Sequence, residues 1–152
     1  MSIRFASLIA GMFLAACLLT ASVFGHDHKV MNGTWSLIPE KCDFGSQPPI
    51  EHGTVTIDER QGNITVSRNF SYEGDNQLVF YRDSTDGANN AKIHSAEGVT
   101  SRTGWDHDQL RVTTRRNGET TVETYSLNAD GTMTVNVTRP GGQPILLVFE
   151  RR

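Results

Sequence analysis

Cysteine is nearly absent. Two residues, Cys17 and Cys42, in a chain of 152 exclude a disulfide framework, so a hydrophobic core must hold the fold. Charge of one sign is lacking too: 14 basic residues face 17 acidic ones, and Arg115-Arg116 and Arg151-Arg152 are the only basic doublets. That excludes a nucleic-acid footprint. Beyond Phe24 no stretch has the 3.6-residue period or the caps of an amphipathic helix. Catalytic signatures are missing as well. The histidines (His26, His28, His52, His94 and His107) form no His-Glu-x-x-His pair, and there is no Gly-x-Ser-x-Gly, P-loop or Cys-x-x-Cys. The expectation is a protein that is not an enzyme and has neither metal nor cofactor.

Long apolar runs are missing except at the start. Met1-Ser2-Ile3-Arg4 is followed by an uncharged, apolar or small-residue stretch from Phe5 to Phe24. This predicts a signal peptide over residues 1–25, cut after Gly25, and an exported protein, periplasmic or extracellular. The competing site is Leu14-Ala15-Ala16-Cys17, a lipobox-like run that would leave a lipidated, membrane-anchored Cys17. Because Leu18 to Phe24 stays apolar, the soluble cut is favoured. Residues 26–31 read as a flexible polar leader, and His26-Asp27-His28 behind a free amine would chelate Cu(II) or Ni(II) in the weakest of the readings.

What the rest contains is strand. Leu110 and Val112 alternate with polar residues, as do Met133, Val135 and Val137, and Ile145 to Phe149 is continuously apolar. Between them stand Asp106-His107-Asp108, Asn117-Gly118, Asp130-Gly131 and Pro140-Gly141-Gly142, the residue types that supply tight turns. Upstream, Thr54 to Asp58 and Ile64 to Phe70 flank Gln61-Gly62-Asn63, and Gln77 to Arg82 follows Glu73-Gly74-Asp75. In all, about eight strands and one or two short extras predict an all-β antiparallel meander over residues 32–152, as a barrel or, alternatively, a β-sandwich. Val122 has the opposite parity to Tyr125 and Leu127, which predicts a bulge near Thr124. Arg68 interrupts the apolar row Ile64, Val66, Phe70, so it either faces inward to meet a ligand carboxylate or is turned outward by a bulge.

Asn32-Gly33-Thr34-Trp35 carries a resemblance. A Gly-x-Trp at the head of the first strand resembles the lipocalins and the related fatty-acid-binding proteins, the calycin-type barrels. The longer opening, Gly33-Thr34-Trp35-Ser36-Leu37-Ile38-Pro39-Glu40-Lys41-Cys42-Asp43-Phe44, is similar to that of small exported bacterial β-proteins of mostly unassigned function, with Cys42 where a serine is usual. The resemblance implies an eight-stranded barrel closed at one end by Gly33 and Trp35. A late arginine would pack across the tryptophan: Arg151 or Arg152, with Arg139 a further candidate. It also implies a loop at 39–49 that either covers the barrel mouth or merely links two strands.

These readings combine into an expected function. The protein would be an exported barrel binding a small apolar or amphipathic molecule through Arg68, Phe70, Phe80, Tyr81, Trp105 and Tyr125. The rival is a packed, non-catalytic envelope module without a cavity, docking another protein on its edge strand or on the outer face of Ile145–Phe149, the face that would also serve a homodimer. No nucleic acid is expected as partner, and a membrane only through a lipidated Cys17.

Overall fold

Turn chemistry lays the chain out as a meander. The computed structural model describes residues 28–72, 75–84, 91–92 and 99–152, with the backbone alone for residues 28, 29, 75–84 and 91–92. The expected signal peptide, Cys17 and His26 lie outside the described residues. Gln61 and Gly62 adopt φ of 51° and 78°, and Asn117 and Gly118 adopt 51° and 84°. Paired positive φ angles belong to two-residue hairpins whose twist matches that of the strands they join.

Ten antiparallel strands result among the described residues: β1 (Gly33–Leu37), β2 (His52–Arg60), β3 (Asn63–Tyr72), β4 (Asp75–Ser84), β5 (Ala91–Lys92), β6 (Val99–Asp106), β7 (Gln109–Arg116), β8 (Glu119–Leu127), β9 (Met133–Thr138) and β10 (Ile145–Arg151). They make one sheet in the order β4-β3-β2-β1-β10-β9-β8-β7-β6-β5. The first strand pairs with the last, Trp35 opposite Arg151. The sheet's two edges are therefore β4 and β5, consecutive in the chain, and the β4 backbone lies against β5 and β6. This is a nearly closed barrel. A single wrapped sheet has no second layer, so the sandwich alternative is excluded.

One face of every side-chain-bearing strand points inward. Trp35 and Leu37, Val55 and Ile57, Ile64 and Val66, Leu110 and Val112, Met133, Val135 and Val137, and Ile145, Leu147 and Phe149 are all buried. Each such side chain stabilises the fold by about 1.5–3 kcal/mol relative to exposure. Polar residues share that face at Arg68, Ser101, Thr103 and Glu123.

One expectation needs correction here. The pairing of β8 with β7 runs without interruption from Glu119 opposite Arg116 to Tyr125 opposite Leu110, so there is no bulge near Thr124. Val122 faces out and Glu123 faces in. Ahead of β1, His28–Met31 is a 3-10 turn; Met31 is buried in the core, and its carbonyl accepts the Trp35 indole N–H at 2.9 Å.

The unbroken run Ile145–Phe149 is covered on its second edge by its own chain. Ile38 N–H donates to the Val148 carbonyl, and Asp43 and Leu146 exchange both backbone hydrogen bonds. The Cys42 thiol accepts from Val148 N–H at 3.3 Å and donates to the Ile38 carbonyl at 3.2 Å. Burial pushes this thiol's pKa up; the Val148 N–H pulls it back and Glu40 adds to the rise.

Candidate functional site

The two ends of the barrel are built differently. At one end Trp35 is fully buried and the Arg151 guanidinium stands 4.4 Å from its ring centroid. Arg151 also donates to the Asn32 carbonyl at 2.7 Å and to the Val30 carbonyl. Gly33 makes this approach feasible: its φ is +133°, and a Cβ there would meet Arg151 Nη1 at 2.9 Å. Of the three candidate arginines, Arg151 is the one over the tryptophan. Asn32 ties the same end to β2, donating to the Glu59 carbonyl and accepting from Glu59 N–H at 3.1 Å. Trp105, two residues before the β6–β7 turn, is also here and donates to Glu59 Oε2 at 3.3 Å.

The other end is open. A cavity of about 420 Å³ enters the barrel there, within the range of small-molecule sites. Its mouth is framed by Phe44 and Pro48 of the β1–β2 loop, by Arg116 and Glu119 beside the β7–β8 turn, and by Arg139 after β9. The loop at 39–49 thus borders the mouth. Ile50, Phe70, Val137, Ile145 and Leu147 make one wall apolar. Gly53 lets Phe70 lie flat: a Cβ at that position would fall 2.8 Å from its ring. Beneath, Phe70 stacks on Phe149 at 6.4 Å between centroids.

The opposite wall is polar. Arg68 faces inward, one of the two orientations its row left open, and forms an ion pair with Glu123; their side chains are 11% and 4% exposed. Glu123 takes a second hydrogen bond from the Tyr125 hydroxyl at 2.9 Å. Thr114 and Thr121 complete this wall. At the rim, burial raises the pKa of Tyr72, while Arg68 and Arg139 pull it down and Glu123 adds to the rise.

The residues expected at a ligand therefore separate. Arg68 and Phe70 line the cavity. Tyr125 is one layer below, fully buried under Glu123. Trp105 is at the closed end and does not border the cavity, because the β6 row carries it past the Thr103 level toward the turn. Phe80 and Tyr81 pair through β4 with Ser67 and Val66, and their side chains lie outside the described residues. Glu123 was missed. The available signal was an opposite charge on the inward row of β8, once Tyr125 sets that row's parity.

A scan of the sequence against protein-family profiles finds no match, and no curated protein is significantly similar to it. Solved structures do share the fold. Fatty-acid-binding protein 1 of Echinococcus granulosus has a TM-score of 0.60 at 8% identity, over 81% of this chain and 98% of that one. A Schistosoma mansoni fatty-acid-binding protein in complex with arachidonic acid has 0.57 at 17%, over 84% and 99%. A secretory abundant heat soluble protein of Ramazzottius varieornatus has 0.62 at 9%, over 81% and 96%. At such identities the likeness is one of fold alone: an antiparallel β-barrel.

Proposed function

We propose that this protein is an exported carrier that holds one small apolar or amphipathic molecule inside its barrel. The observation that carries the reading is the open-ended cavity of about 420 Å³, apolar on one wall and polar on the other. A barrel of this width has room for its own side chains or for one small ligand, and here the described interior leaves space. Barrels of the same fold include a fatty-acid-binding protein in complex with arachidonic acid. The rival reading, a module with a solid core, is disfavoured by that same cavity, and its docking on a free strand edge by the pairing of the β10 backbone at Leu146 and Val148 with Asp43 and Ile38. Export rests on the apolar stretch Phe5–Phe24 behind Arg4.

In the carrier reading the ligand enters between Phe44, Pro48 and Arg139 and is stopped at the far end by the Trp35–Arg151 closure. Arg68 and Phe70 contact it directly; Tyr125 acts through Glu123. The cargo leaves chemically unchanged.

Native mass spectrometry of protein purified from an exporting host, before and after denaturation, tests this. The expected spectrum shows one small molecule per chain that departs on denaturation, with the chain starting at His26. Protein that is bare, and that stays bare after incubation with long-chain lipids, would remove the carrier reading. A diacylated mass starting at Cys17 would replace secretion by anchoring.

A further inference from the structure

Among the described residues, the buried charge inside this barrel is already matched. Arg68 comes from β3 and Glu123 from β8; they meet across the interior, nine-tenths buried, and Tyr125 fixes the second carboxylate oxygen at 2.9 Å. We infer that the cavity selects a neutral amphipathic molecule, an alcohol, ester or amide with an apolar tail, over a carboxylate of the same length. This rests on the carrier reading and specifies the class of its cargo.

A carboxylate has two ways to use Arg68, and both are unfavourable. Beside the intact pair, it brings a second negative charge next to Glu123 in a low-dielectric interior, where repulsion is screened weakly. In place of Glu123, it leaves that carboxylate buried without its counter-charge. Arg116 and Arg139 at the mouth are exposed, so water and salt screen what they offer an anion.

A neutral head group meets neither obstacle and finds complementary groups. Ser101 pairs with Thr114 across β6 and β7, and Thr114 pairs with Thr121 across β7 and β8. Three inward hydroxyls thus form one row over three adjacent strands; Thr114 and Thr121 line the cavity, and Ser101 continues the row outside its lining. Ser101 Oγ and Thr114 Oγ1 are buried and have no hydrogen-bond partner among the described residues. Buried polar atoms are ordinarily satisfied, so such a pair calls for a partner. A hydroxyl donates and accepts without carrying charge, which suits an alcohol, ester or amide. Across the cavity Ile50, Val137, Ile145 and Leu147 provide surface for the tail.

The test displaces a neutral dye, N-phenyl-1-naphthylamine, from the delipidated protein with dodecan-1-ol and with dodecanoate at a pH where the latter is ionised. The alcohol is expected to bind at least about tenfold more tightly, a difference of about 1.4 kcal/mol. Glu123→Gln removes the negative charge that faces Arg68 and is expected to raise dodecanoate affinity by about tenfold or more. Thr114→Val is expected to weaken the alcohol several-fold and leave dodecanoate unmoved, which keeps the test decisive where Glu123→Gln fails to fold. Wild-type protein that binds dodecanoate equally or better overturns the selectivity while leaving a carrier in place. A protein that takes up neither the dye nor either competitor overturns the carrier reading itself.

Discussion

At the residue scale, the interior is governed by a charge pair and one glycine. Removing one partner of a buried ion pair takes that counter-charge from the other, so Glu123→Ala is expected to destabilise the protein by about 3–5 kcal/mol. Replacing both partners, Arg68→Met with Glu123→Leu, is expected to restore most of that loss in urea unfolding. A double variant as unstable as the single would show that packing around the pair, rather than charge, sets the effect. Gly33 is constrained twice, by its φ of +133° and by Arg151 at 2.9 Å from where a Cβ would stand. Gly33→Ala is therefore expected to cost about 1–3 kcal/mol, and an unchanged denaturation midpoint would show that the Arg151 closure is slack. Cys42 is half-buried and its pKa is raised by that burial. Iodoacetamide should modify the native thiol more slowly than the unfolded one, with a rate that titrates above the pH expected for a free thiol. The linkage follows in sign. The folded thiol keeps its proton to higher pH than the unfolded one, so its contribution is present below the unfolded pKa and lost as pH rises through the folded value.

At the element scale, ladder pairing decides what is rigid. β1 is bonded on both sides, by β2 and β10, and β10 by β1 and β9. β4 is bonded on one side only among the described residues, by β3. Local opening follows such asymmetry. Hydrogen exchange read by mass spectrometry should find the β1, β9 and β10 amides among the slowest and the free edge of β4 much faster. Equal protection in β4 and β10 would mean that a ladder seals the barrel at that seam. The uninterrupted register of β8 has a chemical consequence, since a slip of one residue would exchange Glu123 for Val122 and take away the carboxylate that Arg68 pairs with.

At the scale of the whole molecule, one end of the barrel is closed by Trp35, Met31 and Arg151 and the other is open to a ligand. A ligand that binds the folded barrel alone stabilises it by mass action, by about 2.7 kcal/mol at a free concentration a hundred times Kd. Delipidated protein titrated with dodecan-1-ol should therefore melt progressively higher as the alcohol is added. A melting temperature that ignores the alcohol, with the dye displaced normally, would show that the alcohol binds the folded and unfolded chains alike and is not held by the barrel as such.

Much of this was legible in order along the chain. Alternation of period two, turn residues at Gln61-Gly62 and Asn117-Gly118, and Gly33 with Trp35 determine an antiparallel all-β meander, because these are local preferences of the backbone. The inward place of Arg68 was visible from Ile64, Val66 and Phe70 as one of two orientations. Its partner was not, because Glu123 is 55 residues away and a meander read locally does not say which strands face each other across a lumen. The assumed bulge hid it further by assigning Val122 to the interior. Trp105 looked like any inward aromatic, since parity states the face of a strand and not its depth along the barrel. Closure of the sheet by β1 against β10, the cavity at one end and the neutralised charge within it were decided by tertiary structure alone. They depend on distances across the barrel, which no spacing along the chain encodes.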